Sequence, residues 1–483
     1  MTIIDRHVPT AAAAPSANAS TRTTGVRRTR ARPGLILGLV CAAQSMVSLD
    51  MAIVNVALPS IQRDLGVGQS SLQWVVVAYG LLLGGFLLVG GRMTDLLGRR
   101  RVLLTGLGLF TGASLLAGLA QNAGVLIAAR GLQGLGGALI APAALSLLAV
   151  TFPEGRQRNR ALGIFAAVGG AAASLGVVAS GLIAAGPGWR WAFFINVPAG
   201  LVLIGLAIAC LAADRPIDRS RRLDVAGAST VTGGLLVFVF ALHHAATHGW
   251  TSGPTVAWFV AAALLMTAFV RIEARSPAPL VPAAALKNRT LVAANLTALF
   301  GFGAFFSFIF IGSLMMQQGL GYSPAKTGLS WLATTVTVFA AASVAGRIAA
   351  VGVRRLLVTG LALLAAGALW LTQVSSDAGY VDGLLPAFLL AGVGIGLCEP
   401  SLQIGALTGV AETDSGLASG LVETMREIGG AAGVAAVSTV LVTGSGLDGF
   451  HAAFGFIGVL AILGVVAAAV GFTGGTRAAG TRG

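Results

Sequence analysis

Apolar runs of roughly 20 residues, separated by short polar or glycine- and proline-containing breaks, recur from about residue 34 to about residue 473. A helix of that length spans the ~30 Å of hydrocarbon in a bilayer. With no water in that layer, every backbone N–H and C=O must be satisfied internally, which leaves helices or closed barrels. The runs are continuous rather than alternating over ~10 residues, so they specify a helix bundle. Composition agrees, because 56% of the 483 residues are hydrophobic and only 10% are charged, outside the range of a soluble domain. The fold class is all-α integral membrane.

The breaks place spans near 35–58, 72–91, 102–121, 125–148, 161–185, 192–212, 225–245, 255–271, 290–316, 328–349, 356–374, 384–406, 415–441 and 452–473, fourteen in all. Positive charge tests the count. Loops on the side of the N-terminus hold 26 of the 31 Lys and Arg, among them "GRRR" at 98–101, "RQRNR" at 156–160, "DRSRR" at 218–222 and "RR" at 354–355. The opposite loops hold Arg63, Arg190 and Lys326, and Arg130 and Arg426 fall within spans. Both termini are therefore expected in the cytoplasm. The net charge of +14 is topology signal facing anionic lipid and implies no nucleic-acid partner. Residues 1–33, rich in Ala, Ser, Thr and Arg without apolar periodicity, read as a disordered basic cytoplasmic tail, and the apolar run after them is too long for a signal-peptide core. Cys41, Cys210 and Cys398 lie far apart inside apolar spans and read as small core residues.

Four acids fall inside spans: Asp50, Glu399, Glu423 and Glu427. Each costs ~2.5–3.5 kcal/mol at a helix centre, so each is expected to face a cavity or a partner. At 1.5 Å rise per residue, Asp50 lies roughly 20–24 Å in from the cytoplasmic side, and Arg130 roughly 8 Å below the outer surface. The two are thus close in depth. An arginine beside a carboxylate favours its ionised form and desolvation opposes it, the balance a proton-binding switch needs. A static ion pair fixing the first and fourth spans is the alternative. In "LVETMREIGG" (421–430), Glu423 and Glu427 share a face with Arg426 adjacent, a local Glu-Arg-Glu cluster. Glu399, followed by Pro400, suggests a kinked, cavity-lining segment. His243, His244 and His248 lie at the outer end of the seventh span without acidic or cysteine ligands nearby, so no metal site is expected.

An internal repeat organises the spans. "GRMTDLLGRRRVLLTG" (91–106) and "GRIAAVGVRRLLVTG" (346–360) align without a gap from their second glycines, Gly98 on Gly352 and Gly106 on Gly360. Parallel repeats of this kind are a recurring plan of secondary transporters. The first copy resembles the signature loop of the major facilitator superfamily. "LDMAIVNVALPSI", "ARGLQGLGGALIAP" (129–142) and "WRWAFFINVPAG" (189–200) resemble the first-, fourth- and sixth-span motifs of its fourteen-span drug:proton antiporters. The resemblance implies two six-helix bundles, residues 34–213 and 290–473, with two spans inserted between them over 214–289 and a second cytoplasmic tail over 474–483. It links Asp50 and Arg130 to proton coupling and substrate binding. It also implies a conformational role for Gly91, Arg92, Asp95, Gly98 and Arg99, with Asp95 contacting the start of the thirteenth span, where Ser415 is offered as N-cap. In one respect the chain departs from the family. The fifth-span Gly-Pro pair associated with antiport is replaced by Leu175 and Gly176, which leaves a small-residue stripe, Ala172, Gly176, Ser180 and Ala184, suited to close helix packing.

Primary pumping is excluded by the lysines. A phosphate loop needs G-x-x-x-x-G-K-[ST], but before Lys326 and Thr327 the glycine positions hold Leu320 and Ala325. No nucleotide partner, cofactor or enzymatic activity is expected. The expected function is proton-coupled export of amphipathic, cationic drugs by alternating access, with protons and a small molecule as partners. Within that class stands a dedicated exporter of one metabolite or antibiotic. Outside it stand a proton-coupled importer and a non-transporting sensor.

Overall fold

The computed structural model describes residues 33–66, 69–185, 188–214, 224–277, 279–375, 378–442, 444 and 446–472, and no strand occurs among them. The two tails expected at the ends of the chain lie outside the described residues, save Pro33, which opens the first helix. The long helices are α1 (Pro33–Leu65), α2 (Gln69–Leu97), α3 (Arg99–Gly118), α4 (Ala123–Thr151), α5 (Arg156–Ala185), α6 (Asn196–Cys210) and α7 (Val225–His248). They continue with α8 (Gly253–Glu273), α9 (Arg289–Leu314), α10 (Leu332–Ile348), α11 (Val353–Leu371), α12 (Leu385–Leu407), α13 (Ser415–Leu441) and α14 (Leu447–Gly471).

Among the described residues, twelve helices are long and apolar enough to cross a membrane. The chain is a multi-pass membrane protein. The long helices outside that twelve are α5 and α13. In α13 the charges of Glu423, Arg426 and Glu427 depress the local hydropathy, and part of α5 lies outside the residues whose side chains are described.

Local chemistry sets the helix starts. Asn122 Oδ1 accepts from the Val125 amide at 3.0 Å, Asp224 Oδ1 from Gly227 at 2.8 Å, and Asn288 Oδ1 from Thr290 and Leu291 at 3.1 and 3.2 Å. Each satisfies amides that the helix itself leaves unpaired. Packing then depends on small residues. A Cβ on Gly136 of α4 would lie 2.8 Å from the Phe110 amide nitrogen of α3, so α3 and α4 touch backbone to backbone.

α4 packs against α2 and α3, and α1 against α5; among the last six helices α9 packs against α13 and α14, and α12 against α10 and α11. Two seams join the groups, α2 against α13 and α5 against α10. The pair α7–α8 lies against itself, and α7 also contacts α2 and α13. The repeat inferred from sequence is visible in backbone geometry: Gly98 and Gly352, each preceding a helix, hold φ of 100° and 113°, a region side chains rarely adopt. Cys41 and Cys398 are buried as expected, whereas Cys210, at the last turn of α6, is only half-buried.

At the far end of α1, Arg190 Nη1 and Trp189 Nε1 donate to Asp64 Oδ2 at 2.5 and 3.1 Å. First the Arg190 bond and then the Trp189 bond hold the Asp64 carboxyl below the usual carboxylate range. This tie is therefore present above the unfolded-state value and is lost as pH falls through the lowered one.

Candidate functional site

Asp50 and Arg130 meet, as their depths imply. Both are buried, and Arg130 Nη1 donates to Asp50 Oδ2 at 2.5 Å. The contact is one bond in a larger network. Asp50 Oδ1 also accepts from Gln133 Nε2 at 3.0 Å and from Asn196 Nδ2 at 2.8 Å. Gln133 Nε2 reaches Ser114 Oγ at 2.8 Å, and Arg130 donates to Gln133 Oε1 at 3.0 Å and through Nε to the Val75 carbonyl at 3.1 Å. The Arg130 guanidinium lies 4.2 Å from the centroid of the Tyr79 ring. Five helices, α1, α2, α3, α4 and α6, are thereby tied to one ion pair.

Gln133 and Asn196 carry part of this site and escape a census of charges. The signal for both was present: Gln133 follows Arg130 by three residues on one helix face, and Asn196 is a lone amide in an apolar entry segment. Three donors fill most of the roughly four lone-pair sites of a carboxylate. One site, on Oδ2, is left for a proton, and Asp50 has no exposure to solvent through which a substrate cation could approach. The hydroxyl of Tyr79 is the exception here, since it is buried and has no hydrogen-bond partner among the described residues.

A second network lies in the last six helices, with a different membership from the expected Glu-Arg-Glu cluster. Arg426 Nη1 donates to Glu423 at 2.9 and 3.1 Å and to Glu399 Oε1 of α12 at 2.9 Å. Gln403 Nε2 adds a bond to Glu399 at 3.3 Å, and the guanidinium stacks 4.3 Å from the centroid of Phe302. Glu427 is not part of it. Adjacent helical residues point about 100° apart, so Arg426 turns toward α12 and takes Glu423, one turn back, rather than Glu427. Half-buried Glu427 makes no hydrogen bond or ion pair among the described residues. Its Cβ lies 3.7 Å from where a Cβ on Gly84 would stand, which puts it on the α2–α13 seam.

At one end of that seam the signature loop makes the contacts between groups. Asp95 Oδ1 and Oδ2 accept from the amides of Gly416 and Leu417 at 2.9 and 2.8 Å. Ser415 does not cap α13, contrary to the sequence reading. It is the first residue of the helix, and its hydroxyl pairs with Ser146 Oγ at 2.7 Å and donates to the Glu412 carbonyl at 2.9 Å. The cap comes from another helix because Asp95 already satisfies the orphan amides. Arg99 bonds the Glu412 carbonyl and, at 3.1 Å, Ser146 Oγ, and Arg92 lies 3.7 Å from Asp414. Gly91 and Gly98 differ in role. Gly91 sits against Gly416 and Gly420 of α13, while Gly98 is occupied by Asp214, whose carboxylate accepts from the Arg100 and Arg101 amides at 3.2 and 2.8 Å. In α5 Gly176 is buried, and the side chain of Ser180 lies outside the described residues.

Asp95→Ala is expected to weaken this closed contact by about 1.5–3 kcal/mol, the value of hydrogen bonds to a charged group. A spin-label distance across α2 and α13 that lengthens in part of the population would record it; an unchanged distribution would mean that Asp95 is dispensable for closure.

The profile of the Major Facilitator Superfamily matches residues 40–433. The chain is 38% identical to the puromycin resistance protein pur8 of Streptomyces alboniger, over 79% of this chain and 76% of that one. It is 37% identical to the cephamycin export protein CmcT of Amycolatopsis lactamdurans, over 86% of each. With the multidrug resistance protein Stp of Mycobacterium tuberculosis it shares 34% identity over 77% of this chain and 69% of that one. The fold is that of the human organic anion transporter MFSD10 (TETRAN), at a TM-score of 0.68 and 15% identity, covering 90% of this chain and 99% of that chain. The proton:xylose symporter XylE matches at a TM-score of 0.63 and 14% identity, covering 90% and 94%. From its first span into its thirteenth helix, this chain belongs to the Major Facilitator Superfamily.

Proposed function

We propose that the protein exports amphipathic, cationic drugs or antibiotics across the cytoplasmic membrane in exchange for protons, by alternating access. In this reading α5 and α13 cross the membrane with the other twelve spans, which makes fourteen. Residues 34–213 and 290–473 form the two bundles, 214–289 the inserted pair, and both termini are cytoplasmic. The bias of basic residues toward one set of loops supports that orientation. It also makes the Asp95 end of the seam the closed inner gate.

The observation that carries the reading is the placement of Glu427. Asp50 is neutralised by Arg130, and Arg426 is shared between Glu399 and Glu423, so the interior keeps net negative charge. Glu427 is the span acid that makes no hydrogen bond or ion pair among the described residues, and it stands where the two groups of helices meet. A carboxylate there can exchange a proton for a cation without breaking a structural pair. Asp50 and Arg130 then hold the first bundle together, and their part in coupling is indirect. Export is supported by the relatives named for resistance or export. That pur8 and CmcT are each named for one antibiotic favours, as a second reading, a dedicated exporter over a broad one.

Inverted vesicles with an imposed acid-inside gradient, followed by uptake of a fluorescent cation, test this. Wild type accumulates the cation, Glu427→Gln loses the gradient-driven part, and Asp50→Asn retains some coupling in proportion to the folded protein. Coupling that survives in Glu427→Gln removes Glu427 from the mechanism. If no tested cation accumulates in wild type, the cationic-drug reading fails.

A further inference from the structure

The two copies of the repeated loop close their seams differently. In the first, Asp95 bridges to α13. The second reads "GRIAAVG" (346–352) and contains no acid, although its turn Ala349–Val351 packs on α5 in the corresponding way. The seam is nevertheless tight. A Cβ on Gly163 would lie 2.9 Å from the Cα of Gly346, and one on Gly346 would lie 2.6 Å from the Asn159 carbonyl oxygen.

Beside this contact a cleft of about 440 Å³ is lined by Arg156, Gln157 and Arg160 of α5 and by Gly346 and Arg347 of α10. The three arginines are exposed, and none makes a hydrogen bond or ion pair among the described residues. Glu154, the nearest acid in sequence, is taken by Arg158 at 3.0 Å. Arg156 and Arg160 stand one turn apart, a like-charge spacing that costs ~0.2–0.5 kcal/mol on a helix, and Arg347 adds a third charge from the opposite group. Three guanidinium groups and a primary amide around a void form a donor set matched to tetrahedral phosphate oxygens.

We propose that this cleft binds a phosphate-bearing anion that bridges α5 and α10, doing for the second seam what Asp95 does for the first. The ligands come from both groups of helices, so occupancy stabilises the arrangement in which these helices touch. An anionic lipid headgroup and free phosphate share the required chemistry. The inference rests on the fold and the cleft, independently of what is transported.

The test uses the full-length protein in nanodiscs of phosphatidylcholine alone, of phosphatidylcholine with phosphatidylglycerol, and of phosphatidylcholine with inorganic phosphate in solution. Thermal stability and the number of phosphatidylglycerol molecules retained in native mass spectrometry are read for wild type, Arg156→Gln, Arg347→Gln, the double variant and Arg275→Gln. Wild type gains thermal stability with phosphatidylglycerol and retains it selectively. Each cleft substitution weakens the response about fivefold, following the ~1 kcal/mol per basic residue at an anionic surface, while Arg275→Gln responds as wild type. Stabilisation by inorganic phosphate alone identifies the free anion as the ligand. The proposal is overturned if neither phosphate source stabilises wild type, or if the double variant responds and retains lipid as wild type does. In phosphatidylcholine alone the double variant is expected to be at least as stable as wild type, since it relieves unneutralised repulsion, so a loss of response reports binding rather than misfolding.

Discussion

Arg130→Ala is expected to lower stability by about 3–5 kcal/mol, the cost of leaving one member of a buried ion pair uncompensated. Asp50 has no exposure to solvent, so its charge has no water to turn to once Arg130 is gone. The same substitution removes the bond to Gln133 within α4, and the bond to the Val75 carbonyl and the stacking on Tyr79, which anchor α4 to α2. Asp50→Asn should cost less, because an amide oxygen can still accept from Gln133 or Asn196, although Arg130 then keeps an unneutralised charge. The double variant Asp50→Asn/Arg130→Gln removes both charges and retains hydrogen-bonding groups of similar length. It should recover much of the loss, since neutral replacements of buried pairs are often tolerated. Unfolding of the purified protein in detergent, compared across wild type, Asp50→Asn, Arg130→Gln and the double variant, gives the coupling energy. Additive losses would mean that the pair is not a coupled structural unit and would return Asp50 to the list of exchangeable acids.

Whether a feature could be read from sequence followed from how local its cause is. The spans were legible because each is a contiguous apolar run, and helix geometry converts length directly into membrane thickness. Asp50 and Arg130 could be paired because depth is a one-dimensional coordinate, and two rare charges at similar depth have few other partners. The same arithmetic could not say which way Arg426 turns. Glu423, Glu427 and Glu399 all lie within its reach in depth, and only the azimuth of α13 against α12 selects Glu399 and Glu423. Gln133 and Asn196 were overlooked because neutral amides cost less in lipid than charges and do not stand out against the background, yet they supply two of the three bonds to Asp50. The misplaced cap has the same origin. Ser415 has the composition of an N-cap, but a carboxylate from α2, more than three hundred residues away, occupies the amides first. The arginine cleft is legible only as two unrelated basic loops until the seam brings them together.

Gly91→Ala should shift the closed arrangement toward its alternative by about 5- to 150-fold, the range that a 1–3 kcal/mol bias produces in a two-state equilibrium. The added methyl would overlap the Gly416 carbonyl oxygen and come within 3.1 Å of the Gly420 Cα, and backbone of a packed helix cannot rotate away as a side chain can. Relief requires α2 and α13 to separate, which also stretches the Asp95 bonds to Gly416 and Leu417. Overpacking of this kind costs about 1–3 kcal/mol. The cost falls on this arrangement alone, since it arises only where the two helices touch at this point. Gly416→Ala attacks the same contact from the other side, meeting Asp95 Oδ1 at 2.8 Å, so the two substitutions together should give little more than either alone. Gly108, around which a Cβ would meet nothing within 4 Å, provides the control: Gly108→Ala should leave the equilibrium unchanged. Distances between spin labels at Arg101 and Glu412, both exposed near this end of the seam, would report the shift. Gly163→Ala, which crowds Gly346 across the second seam, then becomes the informative comparison. Helices that rock as rigid groups must open both seams together, so Gly163→Ala should lengthen the Arg101–Glu412 distance although it lies on the other side of the bundle. A distance that responds to Gly91→Ala and not to Gly163→Ala would mean that each seam opens alone, and the alternating-access reading would lose its rigid-body basis.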